Sequence, residues 1–139
     1  MQQEDLELAR TGYEAWSRGD LEAMLATLDE DVEFWTSGLF PGLEPVYRGH
    51  EGMRKYWEDF RGPWKSLRIA ISHFRQRGDQ IVALGTFEAV ARDGLTVHRE
   101  AANVLTIRDG LAIRITAHAS WKAALEAAGL SEQDIHAGS

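Results

Sequence analysis

The stretch from residue 80 to residue 120 is QIVALGTFEAVARDGLTVHREAANVLTIRDGLAIRITAHAS, and it contains two Asp-Gly pairs, Asp93-Gly94 and Asp109-Gly110. Each pair joins two β-like segments, and an Asp-Gly pair in that setting is a strong local signal for a β-hairpin. The stretch therefore predicts three antiparallel strands, each hydrogen-bonded to the next one along the chain.

The residues before this stretch have helical periodicity. A first predicted helix ends at Gly19, Asp20 is expected to cap a second helix, and a third helix follows Gly49. Each helix carries apolar residues at three- and four-residue spacing, which predicts one buried face per helix. The three apolar stripes are Leu6, Ala9, Tyr13 and Trp16; Leu21, Met24, Leu25 and Leu28; and Met53, Tyr56, Trp57 and Phe60.

The remaining segments complete the predicted layout. They are a short β-prone piece at 32–36, a loop at 37–49, a strand at 67–77, a last helix at 121–128 that ends at Gly129, and a polar tail at 131–139. Helices followed by a hairpin sheet and a short closing helix predict an α+β fold. We expect a cone-shaped, curved antiparallel sheet that packs on three N-terminal helices, with a short C-terminal helix, and encloses a pocket. The length of 139 residues predicts a single domain over 1–139.

Composition excludes several classes of function. The chain has 15 basic and 22 acidic residues and a formal charge of -7, which disfavours binding to nucleic acid or to an anionic membrane surface. It has no cysteine, so a disulfide, a thiolate nucleophile and a cysteine-ligated zinc site are excluded. The acidic start has no apolar signal core, and no apolar run approaches the length of a membrane span. We therefore expect a cytoplasmic protein.

The length of each hairpin loop decides which strand residues face the helices, because a shift of one residue moves every side chain to the other face. A two-residue turn at Asp109-Gly110 would place Arg114 beside Leu105. We therefore predict a three-residue loop at 108–110, with Gly110 left-handed, and a similar loop at 92–94. The inward residues would then be Gly85, Phe87, Ala89 and Ala91; Val97, Arg99, Ala101, Asn103, Leu105 and Ile107; and Ile113, Ile115, Ala117 and Ala119.

Short motifs follow one another in a characteristic order over nearly the whole chain. After Tyr13 and Trp16 they are Arg18-Gly19-Asp20-Leu21, Asp29-Glu30-Asp31-Val32-Glu33, Val46-Tyr47-Arg48-Gly49, Ile107-Arg108-Asp109-Gly110 and the closing AALEAAGL at 123–130. In this order they resemble the SnoaL-like branch of the nuclear transport factor 2-like superfamily. The resemblance implies a pocket between a curved sheet and helices, and a homodimer formed through the outer sheet face. It also implies relatives such as polyketide cyclases, ketosteroid isomerases and epoxide hydrolases.

The resemblance to the isomerases implies catalytic positions that this chain fills with other residue types. Their general-base Asp falls on Thr36, which cannot act as a base near neutral pH. Their oxyanion Tyr falls on Gly12, one residue from Tyr13. Their second oxyanion acid falls on Asn103, whose amide can still donate a hydrogen bond to a developing oxyanion.

The other two catalytic patterns of the family are also incomplete. The epoxide hydrolases use an Arg and an Asp two residues apart, and Arg99 matches the Arg whereas the partner position is Ala101. The cyclases bring an Asp from the last strand, where the inward residues are Ala117 and Ala119. The general base is therefore not identified by resemblance.

Nine residues are the candidates for a site. Aromatic residues on a helical stripe are either pocket walls or plain core, Arg99 binds either a ligand anion or an acid at the rim, and a bulge near Ser72 would decide where His73 points. The catalytic candidates are Arg99, Asn103, Tyr13 and His73, and the ligand-binding candidates are Trp16, Trp35, Tyr56, Trp57 and Phe87.

The predicted outer face gathers two histidines and two carboxylates. In the preferred register Glu88 lies opposite His98, and Glu100 lies opposite His118. Such a set resembles divalent-metal ligands. A hydrogen-bond network at a dimer interface or a solvated face is the preferred interpretation, so we expect no metal and no cofactor.

These observations lead to two hypotheses of function. The first is a small enzyme that acts on an apolar or polyketide-like compound by proton transfer, isomerisation, cyclisation or hydration. The second is a non-catalytic small-molecule binding module of the same fold. A carboxylate or a neutral His near the centre of the pocket would favour the enzyme. Both hypotheses include a homodimer, since Val90, Ala102 and Val104 are apolar residues on the predicted outer face.

Overall fold

The computed structural model describes residues 2–36 and 42–131, which form one six-stranded sheet and four helices. The helices are α1 (Gln2–Arg18), α2 (Leu21–Leu25), α3 (Gly49–Arg61) and α4 (Trp121–Ala127). The strands are β1 (Leu28–Trp35), β2 (Val46–Arg48), β3 (Trp64–Arg77), β4 (Gln80–Ala91), β5 (Thr96–Arg108) and β6 (Leu111–His118). In this part of the chain no helix is long and apolar enough to cross a membrane.

The sheet is curved and mostly antiparallel, with strand order β2-β1-β6-β5-β4-β3. Every neighbouring pair is antiparallel except β1 and β6, which are parallel. The predicted fold class, an α+β cone with N-terminal helices, a hairpin sheet and a short C-terminal helix, is confirmed. The parallel pairing of β1 with β6 is not predictable from local periodicity, because the two strands are far apart in sequence.

Two apolar clusters occupy opposite faces of the sheet. The inner cluster joins α1, α2 and α3 to the concave face and includes Trp16, Met24, Met53, Tyr56, Phe87 and Ile115. The outer cluster joins α4 to the convex face and consists of Val82, Leu84, Ala102, Val104, Ala124, Leu125 and Ala128. The short C-terminal helix therefore covers part of the face that was expected to form a dimer.

Helix α2 starts as predicted and ends earlier than predicted. The Asp20 carboxylate accepts a hydrogen bond from the Ala23 backbone N–H at 3.1 Å, which confirms its capping role. The expectation that the helical stripe reaches Leu28 is wrong, since Leu28 begins β1. The chain leaves the helix because the carbonyl of Thr27 accepts a hydrogen bond from the Ala112 N–H, which draws this segment onto β6.

Strand β1 is longer than the predicted β-prone piece at 32–36, and it pairs with both β2 and β6. The predicted loop at 37–49 needs one correction, since Val46–Arg48 forms the edge strand β2. Residues 37–41 of that prediction lie outside the described residues. A three-residue strand carries too little periodicity to be recognised from sequence, and only its partner β1 defines it.

The hairpin between β4 and β5 has the predicted three-residue loop. The Ala91 N–H donates to the Leu95 carbonyl at 2.8 Å and closes the loop. Phe87 then lies opposite Arg99, and Gly85 lies opposite Ala101. The predicted inward face of this hairpin is therefore confirmed.

The hairpin between β5 and β6 keeps the predicted parity of the strand faces but not the predicted pairing. Arg108 lies opposite Leu111 across a two-residue turn, in which Asp109 has φ 53° and Gly110 has φ 79°. The predicted three-residue loop is thus wrong, because a turn with two positive φ angles matches the twist of the strands. A register shift after Thr106 restores the parity of the strand faces and brings Leu105 opposite Ile115.

The same register shift changes one predicted inward residue. Ala112 lies opposite Ile107 and is buried in the inner cluster, whereas Ile113 belongs to neither cluster. The inward position predicted for Ile113 is therefore occupied by Ala112. The physical reason is that the extra residue of the bulge absorbs Ile113 before the alternation resumes at Ile115.

Candidate functional site

A cavity lies between the three N-terminal helices and the concave face of the sheet. Its volume is about 120 Å³, measured as the space open to the centres of water-sized molecules. On that measure one water needs roughly 10–15 Å³, so the cavity accepts a molecule with on the order of ten non-hydrogen atoms. Most of its lining is apolar, and includes Leu8, Met24, Phe34, Met53, Leu105 and Ile115.

Two polar candidates, Tyr13 and Asn103, meet in this cavity. The Asn103 Nδ2 donates a hydrogen bond to the Tyr13 hydroxyl at 2.8 Å, and both residues line the cavity. Burial raises the pKa of Tyr13 well above its ordinary value of about 10, while the Asn103 hydrogen bond acts in the opposite direction. The phenol is therefore neutral at physiological pH and keeps its own proton to donate.

Arg99 also lines the cavity, and it lies on the same face of β5 as Asn103. Arg99, Glu100 and Ala119 are the exposed residues among the described lining, so they mark the mouth of the cavity. Ala119 comes just after the end of β6. The strand thus carries a cationic side chain at the mouth and an amide deeper inside.

The predicted pairing of Glu100 with His118 is wrong. His118 lies opposite Ala102, two positions from Glu100, because the shorter turn and the register shift after Thr106 each displace the pairing by one position. The Glu100 Oε1 accepts a hydrogen bond from the Trp121 N–H at 2.8 Å, and the His118 Nε2 lies 2.8 Å from the Thr116 hydroxyl oxygen. Burial lowers the pKa of His118, which favours the neutral ring.

The other half of the predicted outer cluster has the expected partners. Glu88 lies opposite His98, and the Glu88 Oε1 is 3.5 Å from the His98 Nε2. Both side chains are largely exposed, so this contact contributes little to stability. Within residues 2–36 and 42–131, no three His, Cys, Asp or Glu side chains are grouped to hold a metal ion.

Three of the five predicted ligand-binding aromatics line the cavity, namely Trp16, Tyr56 and Phe87. They also belong to the buried inner cluster. Tyr56 stacks on Phe34 with ring centroids 4.5 Å apart, and it stacks on Trp16 at 5.7 Å. These three aromatic residues are therefore both walls of the cavity and part of the buried core.

The remaining two aromatics lie away from the described lining. The ring centroid of Trp35 lies 5.9 Å from the Arg48 Cζ and 5.4 Å from the Arg114 Cζ. Trp57 packs edge-on against Trp16 at 4.9 Å, and Arg61 lies 4.6 Å from its ring centroid. Both tryptophans form cation–π contacts of the kind that hold surface elements together.

His73 lies on the outer side of the sheet. The register of β3 shifts between Ile71 and His73, which confirms the bulge suspected at Ser72. The His73 ring meets Trp121 of α4 at a centroid distance of 5.4 Å, and its Nδ1 is 2.8 Å from the Ser72 hydroxyl oxygen. His73 is not among the residues that line the cavity, so it is not part of the candidate site.

Four further lining residues were not site candidates from the sequence, although Gly12 and Thr36 were named there as positions matched to the isomerases. Thr27 and Leu43 line the cavity, and Gly12 leaves room in its wall, since a side chain there would begin 3.1 Å from the Thr27 hydroxyl oxygen. Thr36 also lines it, and its hydroxyl donates to the Glu44 carbonyl at 2.6 Å. Thr36 thus serves to hold the chain near the wall, which agrees with its unsuitability as a base.

The arrangement favours donation of hydrogen bonds over abstraction of protons. Tyr13 and Asn103 present neutral donors, and Arg99 presents a cation. The carboxylate at the mouth, Glu100, is occupied by the start of α4. Two residues of the described lining are of types that can accept a proton, namely Glu100 and His118, and each has a hydrogen-bond contact within the chain.

Comparison with known proteins supports the same fold. The SnoaL-like domain matches residues 9–118, and no curated protein matches the chain. Among solved structures, TerC co-crystallised with polyporic acid is 26% identical, with a TM-score of 0.77 and coverage of 84% of this chain and 92% of that one.

Two further structures are similar. An NTF2-like protein of unknown function from Burkholderia pseudomallei is 26% identical, with a TM-score of 0.78 and coverage of 90% and 97%. A protein with a ketosteroid isomerase-like fold from Catenulispora acidiphila, in complex with trimethylamine, is 14% identical, with a TM-score of 0.71 and coverage of 89% and 93%. The last of these shows a likeness of fold alone.

Proposed function

Because the chain belongs to the SnoaL-like domain family, we propose that its cavity binds a small, mostly apolar molecule through one oxygen atom of that molecule. The hydrogen bond between Asn103 and Tyr13 carries this proposal. The Tyr13 oxygen accepts the hydrogen bond from Asn103, so the phenolic proton is left to donate to an acceptor other than this amide nitrogen. Tyr13 has no acceptor among the described residues, and a carbonyl, enol or phenol oxygen of a ligand would supply one.

Burial makes this donor selective. The rest of the lining is mostly apolar, and a polar group transferred from water into such a site is costly unless it finds a partner. A ligand with one oxygen beside Tyr13 satisfies the site, whereas a hydrocarbon leaves the phenol without an acceptor. The polyporic acid complex of TerC, at 26% identity, supports a small organic molecule as the ligand class.

A cofactor-independent enzyme is the second candidate. Two neutral donors that meet at one point can stabilise an oxyanion that develops during isomerisation, cyclisation or hydration. The Tyr13–Asn103 pair favours this activity on an apolar or polyketide-like substrate. Proton abstraction would then fall to water, to a group of the substrate or to the neutral ring of His118, which is part of the described lining.

The proposal is tested with a matched pair of ligands. 1-Tetralone and 1-methylenetetralin have the same shape, but only the ketone accepts a hydrogen bond. The wild-type protein should bind the ketone about two- to tenfold more tightly, the range expected for one net hydrogen bond. Quenching of Trp16, which lines the cavity, provides a fluorescence readout.

Tyr13→Phe should remove the preference for the ketone and keep the affinity for the alkene. Thr11→Ala is the control, because Thr11 lies on the same helix, is exposed and is not among the residues that line the cavity. Equal affinities for the two compounds in wild type would overturn the proposal. Turnover of the ketone in deuterated water, detected as exchange beside the carbonyl, would decide for the enzyme.

The homodimer and the cytoplasmic location remain predictions. The dimer rests on the resemblance to the family and on the apolar residues of the outer face. Two of the three residues that suggested it, Ala102 and Val104, are covered by α4 of the same chain. A dimer would therefore use the part of the outer face that α4 leaves uncovered, which includes the half-buried Val90.

A further inference from the structure

The hydroxyl of Tyr56 has no hydrogen-bond partner among the described residues, unlike the hydroxyls of the other two tyrosines in the chain. The Tyr13 oxygen accepts a hydrogen bond from Asn103, and the Tyr47 hydroxyl donates to the Asp59 carboxylate at 2.8 Å. Tyr56 is only 7% exposed, and it lines the cavity. A buried hydroxyl without a partner is costly, so its place in the cavity wall needs a physical reason.

Packing does not require this hydroxyl. The Tyr56 ring contacts four other aromatic rings at centroid distances between 4.5 Å and 5.7 Å, namely those of Trp16, Phe34, Tyr47 and Phe60. A phenylalanine at this position would make the same ring contacts, as Phe60 does one turn further along α3. The surrounding rings hold the Tyr56 side chain in place, so the position of its hydroxyl is fixed before any ligand arrives.

The Tyr56 oxygen remains open to the cavity. Among the described residues, the fully enclosed side-chain polar atoms that lack a partner are the Trp16 Nε1 and the Gln76 Oε1. The Tyr56 oxygen is not one of them, so it keeps accessible surface in the cavity that the residue lines. Burial raises the pKa of Tyr56 far above its ordinary value of about 10, and charge on Tyr13 would add to the rise. The hydroxyl is therefore protonated, and it can both donate and accept a hydrogen bond.

Tyr56 and Tyr13 lie over different parts of the sheet. Tyr13 contacts β5 through Asn103 and β3 through Phe74, whose ring centroid is 6.3 Å from that of Tyr13. Tyr56 contacts β1 through Phe34. Strand β6 lies between β1 and β5, so these two strands are about 10 Å apart at the usual spacing of neighbouring strands. The two phenols are therefore separate polar points in one mostly apolar cavity.

We propose that the natural ligand carries two oxygen atoms on an apolar body, one held by Tyr13 and Asn103 and the other by the hydroxyl of Tyr56. The inference rests on the proposed function and adds a second binding residue and the ligand class to it. The apolar body crosses β6, whose residues Ile115 and Ala117 line the cavity. A hydroxyl or a carbonyl of the ligand satisfies the second point, since a phenol can donate or accept.

Hydroxytetralones test the second point, because they add one oxygen to the ketone that tests the first. The isomers 5-, 6- and 7-hydroxy-1-tetralone place the hydroxyl at three positions, and calorimetry compares each with the methyl compound of the same shape. For at least one isomer, the ratio of hydroxy to methyl affinity should fall about two- to tenfold in Tyr56→Phe, the range expected for one net hydrogen bond. The ratio cancels any general effect of the substitution on ligand affinity.

Tyr47→Phe is the matched control. It removes the same atom from a buried tyrosine that packs against Tyr56 at 5.4 Å, but Tyr47 is not among the lining residues. The affinity ratio should keep its wild-type value in this variant. Without ligand, Tyr56→Phe should melt at or above the wild-type temperature, because it loses no hydrogen bond. Tyr47→Phe should melt lower, because it loses its contacts with Asp59 and Glu44.

The outcomes separate this inference from the function on which it rests. An unchanged ratio in Tyr56→Phe for all three isomers would overturn the second oxygen, even if 1-tetralone itself binds more weakly, since one ligand oxygen would then serve both phenols. A melting temperature that falls as far as that of Tyr47→Phe would also overturn it, because the hydroxyl would already have a partner. In both cases a wild-type preference for 1-tetralone over 1-methylenetetralin would still uphold the proposed function. The absence of that preference would overturn the function at Tyr13, and with it the first of the two contacts.

Discussion

The Asn103 amide donates a hydrogen bond of 2.8 Å to the Tyr13 hydroxyl across 90 positions of the chain. This contact joins α1 to β5 inside an otherwise mostly apolar cavity. It holds the Tyr13 phenol against the inner face of the sheet. Arg99 and Glu100, by contrast, are exposed lining residues.

The tyrosines predict how stability responds to alkaline pH. Burial is the largest cause that raises the pKa values of Tyr13, Tyr47 and Tyr56 above their ordinary value of about 10. Folding therefore favours the neutral phenols. Their contribution to stability is fully present below pH 10, where unfolded tyrosine is also neutral, and it is lost as the pH rises above 10.

The measurement is absorbance of phenolate at 295 nm, followed together with circular dichroism. Ionisation should coincide with unfolding rather than precede it. The Tyr13→Phe variant should lose stability less steeply above pH 10, because one linked group has been removed. Reversible ionisation of all three tyrosines near pH 10 in a folded protein would contradict the prediction.

Removal of the α2 cap should destabilise the protein without changing ligand preference. Asp20→Ala deletes the acceptor of the Ala23 N–H, which typically costs about 1 kcal/mol and lowers the melting temperature by a few degrees. Asp31→Ala is the control, because Asp31 is exposed and its carboxylate makes no hydrogen bond among the described residues. Equal melting temperatures for the two variants would show that the cap contributes nothing.

A side chain at position 85 should disrupt the sheet. A Cβ atom on Gly85 would lie 1.9 Å from the Ala70 carbonyl oxygen and 2.7 Å from the Ile71 Cα, and both are backbone atoms that cannot turn aside. Gly85→Ala should therefore cost about 3 kcal/mol or more in denaturant unfolding. Thr86→Ala, the next residue on β4, is the control and should cost less. A loss under about 1 kcal/mol for Gly85→Ala would mean that β3 shifts to make room.

The oligomeric state can be measured directly. We expect light scattering at micromolar concentration to give the mass of a dimer. Val90→Glu on the outer face should then shift the mass to that of a monomer, because a buried unpaired carboxylate opposes association. Thr11→Glu, on the exposed side of α1, should leave it unchanged. A monomer mass for the wild type would contradict the predicted dimer.

Much of the fold was predictable because local physics determines it. The Asp-Gly pairs, the Asp20 cap and the helical stripes each act over a few residues, and the structure confirms them. The predictions that were wrong concern segments whose structure depends on contacts with distant parts of the chain. Leu28 belongs to β1, which pairs with β6, and not to the second helix. The turn at Asp109 has two residues instead of three, and a bulge elsewhere in the hairpin restores the parity of the strand faces.

The candidate site divides in the same way. Helical spacing placed Tyr13, and strand alternation together with the predicted loop lengths placed Arg99 and Asn103, on faces that turn inward. Whether an inward aromatic lines the cavity or lies outside it depended on packing, which separated Trp16 from Trp35 and Trp57. The position of His73 depends on a bulge at Ser72, which places the His73 ring beside Trp121 of α4.

The sequence by itself determined the α+β class, the inward face of the hairpin sheet and the absence of cysteine chemistry, because these follow from composition and from short-range periodicity. Only the tertiary structure decided that Asn103 meets Tyr13, that Glu100 turns to the start of α4 and that α4 covers the outer face. These are contacts between segments far apart in sequence. Their free energy depends on how the whole chain packs, and no local pattern encodes it.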